Sequence, residues 1–109
     1  MGVQLAKWAL SAEVGGLGLS PTARLVLASM ALTAQDRDTD QTPARLWWGG
    51  HDLLMLHLAG DVPEDERERA ALSRRIRRGV SELISAGVLT VAEPAGRGRR
   101  AVYRLEPEG

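Results

Sequence analysis

Apolar residues recur with two different periods along this chain, and the changes of period divide it into elements. Between Val3 and Val14, Leu5, Trp8, Ala9 and Ala12 return at helical spacing, and Gly15 and Gly16 then stop the run. This predicts a short N-terminal helix. Gly15 to Gly18 break the chain ahead of Ser20 and Pro21, a serine N-cap followed by proline at the first helical position. A second helix is predicted over 21–33. Its residues Leu25, Val26, Leu27, Ala28, Met30, Ala31 and Leu32 are dense enough to need cover around most of the circumference, as in a central core helix. Gln35 to Pro43 contains no apolar residue and reads as a solvated loop.

Arg45 to Trp48 reads as a very short edge strand ended by Gly49 and Gly50. Asp52 to Ala59, with Leu53, Leu54, Met55, Leu56 and Leu58, shows no alternation and fits a third, buried helix. After Gly60 to Pro63, the acidic Glu64, Asp65 and Glu66 stand where a helix N-terminus favours negative charge. A fourth helix then runs to Ala86, with Gly87 as its stop, and residues 61–66 fit either an extra helical turn or an acidic loop. On this helix Leu72, Ile76, Val80 and Leu83 form one stripe, with Ile84 at its margin, and this is the expected core face. Val88 to Ala92 and Ala101 to Leu105 are strand-like runs joined by a turn holding Pro94, Gly96 and Gly98, which predicts a β-hairpin.

The order helix, helix, short strand, helix, helix, strand, strand gives an α+β, mostly α fold. In outline it is a winged helix-turn-helix: a three-helix core, an extra N-terminal helix and a small antiparallel hairpin as the wing. Residues 1–18 form the N-terminal helix and linker, and residues 19–109 the winged-helix domain. Leu19-Ser20-Pro21, Ala23 to Leu27, the stretch from Val80 to Leu89 and the closing Tyr103-Arg104-Leu105 resemble the winged helix-turn-helix proteins of bacterial plasmids, phages and integrative elements. That resemblance implies a transcriptional regulator or an accessory replication or maintenance factor of a mobile element.

Length and charge sharpen this picture. A chain of 109 residues has room for one hydrophobic core. Its formal net charge of zero hides a strong asymmetry. Residues 1–66 carry four basic and nine acidic groups; residues 67–104 carry ten arginines against Glu68, Glu82 and Glu93; Glu106 and Glu108 follow. A C-terminal third so rich in positive charge points to a polyanionic partner, here double-stranded DNA. Thirteen arginines to one lysine also fit a GC-rich genome.

On the fourth helix Arg67, Arg74, Arg78 and Ser81 fall opposite the core stripe, with Arg75 and Arg77 flanking them. Guanidinium pairs bidentately with guanine edges or with phosphate, so Arg67, Arg74, Arg78 and Ser81 are expected to read a major groove while Arg75 and Arg77 hold flanking phosphates. Arg97, Arg99 and Arg100 at the hairpin tip would follow the backbone or enter a minor groove. The competing reading is a solvated salt-bridge surface in which the arginines answer Glu64, Asp65, Glu66 and Glu68. Another is a protein-interaction adaptor working through the acidic loop Asp36 to Asp40 and the apolar N-terminal helix.

Of Trp47 and Trp48, one is expected to plug the core and the other to rest on the sheet edge. Leu5, Trp8, Ala9 and Ala12 either pack within the monomer or form a dimer seam, and the homodimer is the expectation because it matches palindromic half-sites. No metal site is expected, because His51 and His57 lie on different faces of one helix without a third ligand. Gly15 to Gly18 lack the strand and lysine of a phosphate-cradling loop, and no nucleophile has evident partners, so neither catalysis nor a cofactor is indicated. The absence of cysteine excludes disulfides, and no apolar run approaches the roughly 20 residues of a membrane span. A cytoplasmic, nucleoid-associated protein is the expectation.

Overall fold

A computed structural model describes residues 3–34, 46–47, 50–98 and 100–107. In chain order the elements are α1 (Val3–Ala9), α2 (Ala12–Gly15), α3 (Pro21–Thr33), β1 (Leu46–Trp47), α4 (Gly50–Ala59), α5 (Glu66–Ser85), β2 (Leu89–Glu93) and β3 (Val102–Leu105). The fold is α+β and mostly helical. The three strands form one antiparallel sheet with β3 in the middle, in the order β1-β3-β2. Leu89 pairs with Leu105, Thr90 with Arg104 and Val91 with Tyr103, and an irregularity between Val91 and Glu93 precedes the turn. The predicted loop at 35–43 lies outside the described residues, as do Arg45 and Trp48.

Local chemistry accounts for where the helices begin and end. Ser20 caps α3 by accepting from the Ala23 N–H at 3.2 Å, and Asp65 caps α5 by accepting from the Glu68 N–H at 3.0 Å. Asp61 to Asp65 are therefore not an extra helical turn. They form an irregular approach, tied down where Arg69 Nε donates to the Pro63 carbonyl. At the far end of α5, Gly87 adopts φ 79°, and the Gly87 and Val88 N–H groups donate back to the Ile84 and Leu83 carbonyls, which turns the chain into β2.

The single helix predicted over residues 3–14 is two pieces. Ser11 interrupts it, its hydroxyl accepting from the Val14 N–H at 3.4 Å, so a new turn starts there. The kink brings Val14 into the same core as Leu5 and Ala9.

Among the described residues one hydrophobic core gathers Val26, Leu27 and Met30 of α3, Leu54 and Met55 of α4, Ile76 and Leu83 of α5, and Leu89 and Leu105 of the sheet. The expected stripe of Leu72, Ile76, Val80 and Leu83 is buried, and Ile84 is 40% exposed. As expected for a core helix, α3 is covered around much of its circumference, with one side left open. Leu25 and Leu32 are 54% and 58% exposed, because α1, α4 and α5 occupy only the other sides of the helix.

Polar clips join the layers. Trp47 is buried, and its Nε1 donates to Thr33 Oγ1 at 2.7 Å. The buried Ser29 hydroxyl is hydrogen-bonded to His57 Nδ1, and His51 Nδ1 lies 3.2 Å from Ser73 Oγ. The two histidines thus tie α4 to α3 and to α5 respectively. Among the described residues no helix is long and apolar enough to cross a membrane, and no cluster of metal-ligating side chains occurs.

Candidate nucleic-acid interface

Helix α5 places its arginines by the same rule that buries its leucines. With each residue advancing about 100° around the axis, Arg67, Arg74, Arg78 and Ser81 fall on the side opposite Ile76, and all four are exposed. Glu66 and Glu68 fall toward the flanks rather than on this outer stripe, so the acidic first turn faces the helix dipole without facing the ridge. Guanidinium groups gathered on one exposed face repel one another, and that repulsion is relieved by an anionic partner.

The two flanks differ in chemistry. On the side toward α3, Arg75 Nη2 donates to Thr22 Oγ1 at 3.2 Å, and Arg75 and Arg78 line a shallow hollow with Ser20, Thr22 and Glu82. Glu82 is an acid inside this basic stretch because it has structural partners. The Ser20 N–H donates to Oε1 at 3.1 Å and the Ser20 hydroxyl to Oε2 at 2.6 Å, which clamps α5 to the start of α3. Those bonds hold the Glu82 carboxyl below the ordinary carboxylate range.

On the opposite flank Arg77 turns toward the hairpin. It lines a cavity of about 460 Å³ between the first turn of α4, the middle of α5 and the residues that lead into β3. Arg100 lines the same cavity. Its side chain lies against Gly50, where an added Cβ would stand 2.9 Å from Arg100 Cδ and Nε, and Gly50 itself has φ 80°. Burial, and next the charge of Arg77, lower the pKa of His51 in the cavity wall, so its ring is neutral at neutral pH.

Sequence reasoning therefore placed the arginines of α5 on their faces but misjudged the hairpin. Arg97 is exposed near the tip, Arg99 lies outside the described residues, and Arg100 folds back onto α4 instead of standing at the tip. Arg104, a further base of the basic third, points away from the core on β3, between its partners Leu46 and Thr90. The convergence of Arg77, Arg100 and His51 had no signal in the sequence, since their separations match no local period.

The expected dimer seam also changes. Leu5 and Ala9 are 5% and 1% exposed within a single chain because α1 packs on α3, and Trp8 packs partly against the same core. These residues form core rather than an open seam; the side chain of Ala12 lies outside the described set. Comparison with protein families, with curated proteins and with solved structures finds no match to this chain.

Proposed function

We propose that this chain is a winged-helix protein that binds double-stranded DNA, with α5 as the helix presented to the major groove and the β2–β3 hairpin as the wing. The observation that carries the reading is the exposed outer stripe of α5, where Arg67, Arg74, Arg78 and Ser81 lie on the side opposite the core while the first-turn acids Glu66 and Glu68 fall toward the flanks. In this reading Arg74 and Arg78, with Arg67 and Ser81, contact base edges, Arg75 and Arg77 contact flanking phosphates, and Arg97 and Arg99 hold the backbone beside the wing. The protein works as a homodimer on paired half-sites, as a regulator or maintenance factor associated with the nucleoid, without catalysis or a cofactor.

The test is fluorescence anisotropy with a mixed-sequence duplex at two salt concentrations, comparing the wild type with Arg74→Ala/Arg78→Ala. Salt-sensitive binding that the double variant weakens by at least about tenfold is expected, from the 1–3 kcal/mol typical of a guanidinium–base contact. No binding at low salt sinks the proposal.

One observation favours a second reading, a protein-interaction adaptor. Pro21, Leu25, Ala28 and Leu32 follow one another at helical spacing along the side of α3 that other elements leave uncovered. An adaptor would show no duplex affinity at low salt and would lose partner binding on Leu25→Lys/Leu32→Lys.

A further inference from the structure

At the C-terminal end of α5 lies a recess whose chemistry is the reverse of the arginine face. It is a space of about 280 Å³ between the two N-terminal helices, the turn from α5 into β2 and the residues that follow β3. The half-buried Trp8 forms one part of its wall, and Val14, Leu17 and Val88 make much of the rest apolar. Glu13 and Glu106 also line it, and no basic residue does. Local bonds hold both acids in place. The Glu106 N–H donates to the Val88 carbonyl at 2.9 Å, and its Oε1 accepts from the Thr90 hydroxyl at 3.1 Å. Glu13 sits in the last turn of α2, where the Gly16 N–H donates to its carbonyl at 3.2 Å. Among the described residues neither carboxylate meets a cationic side chain.

We propose that this recess binds a primary ammonium group carried on a short alkyl chain. The ammonium donates to Glu13 and Glu106 beside the indole of Trp8, and the alkyl chain covers Val14, Leu17 and Val88. The division of the wall argues for both halves of the ligand. A bare inorganic cation leaves the apolar wall wet, and two carboxylates without a further ligand do not make a metal centre. An uncharged ligand of the same shape leaves both carboxylates without a counter-charge and forgoes the attraction of a cation to the indole face. A primary ammonium has three N–H donors, enough for both acids at once. The acids come from positions 13 and 106, near opposite ends of the chain, and only the docking of the N-terminal helices beside the end of β3 brings them to one recess. The site uses none of the arginines assigned to DNA and stands apart from that reading.

The experiment is a two-dimensional NMR titration of the ¹⁵N-labelled full chain at constant ionic strength with butylammonium chloride, butanol and potassium chloride in parallel. Butylammonium is expected to shift the Trp8 indole N–H and the amides of residues 13–17, 86–88 and 106. Butanol and potassium, and butylammonium on Glu13→Gln or on Glu106→Gln, are each expected to bind at least about threefold more weakly, the scale of a partly exposed ion pair. Glu64→Gln, which removes the same charge ahead of the opposite end of α5, should leave butylammonium binding unchanged. Nα-acetyl-lysine amide separates the two sources of such a group: tighter binding than butylammonium assigns the recess to a lysine side chain of another protein, and weaker binding to a free amine. Equal binding of butanol or potassium overturns the proposal. So do shifts scattered over the acidic surface and indifferent to Glu13→Gln, or no shifts at all. A protein that binds butylammonium but no duplex refutes the DNA reading while leaving the site standing, and the converse result does the reverse.

Discussion

Glu82 is an acidic residue in the most basic element of the chain, and its neighbours explain why it is there. Both carboxylate oxygens accept hydrogen bonds from Ser20, whose own hydroxyl caps α3, so one side chain organises two helices. Because the folded state lowers the Glu82 pKa, the stability it contributes is present in full above the ordinary glutamate range. It is lost as pH falls through the lowered folded value. Glu82→Gln, which cannot accept from both Ser20 donors, should therefore unfold at lower urea concentration than the wild type at neutral pH. The gap should close in strong acid, and urea titrations across the acid range check both statements. The same hollow contains Arg75 and Arg78, so this carboxylate also limits how closely phosphate approaches that flank.

Helix α5 carries packing and display together, and its two ends and middle respond differently to substitution. Removing the Asp65 cap leaves the Glu68 N–H without its side-chain acceptor, and Asp65→Ala should cost about 1 kcal/mol in chemical denaturation. Ile76 is fully buried at the centre of the stripe, so Ile76→Ala should cost about 2–5 kcal/mol, a large part of the stability of a chain this size. Gly79 is buried where α5 crosses α3, and a Cβ there would meet Ala23 Cα at 3.4 Å and Val26 Cγ2 at 3.5 Å, close to ordinary contact. One methyl fits that space, and a glycine inside a helix carries an entropic penalty. Gly79→Ala should thus raise stability by about 0.5–1 kcal/mol, whereas Gly79→Leu, too large for the crossing, should lower it. Thermal unfolding of the pair checks the sign.

For the molecule as a whole, charge segregation matters more than net charge. A neutral total would give no attraction for DNA if the charges were evenly mixed, but residues 67–104, which form most of α5 and the hairpin, carry ten arginines against only Glu68, Glu82 and Glu93. Binding by this surface should weaken linearly in a plot of log affinity against log salt. On the proposed DNA-binding reading, removing an arginine assigned there to phosphate, Arg75→Ala or Arg97→Ala for example, should flatten the slope by about 1. Light scattering on the free protein measures whether the exposed Leu25 and Leu32 face pairs two copies before DNA is added.

Most of the elements, the buried stripe of α5, the cap at Ser20 and the concentration of arginine were legible in the sequence, because each depends on residues within one or two turns of one another; that Asp65 is the residue which caps α5 was not, since three neighbouring acids suit a helix start equally well. Periodicity reports which side of an element is apolar, and capping reports where it starts. The interrupted N-terminal helix was not legible, since the gain that breaks it at Ser11 is the burial of Val14 against distant residues. Nor was the fate of Leu5 and Ala9, because an apolar stripe is equally suited to its own core and to a second copy, and only the docking of α1 on α3 decides between them. The cavity depended entirely on tertiary structure. Positions 50, 77 and 100 meet there because the sheet folds β3 back beside α4 and α5, and contacts over such separations are set by how whole elements pack.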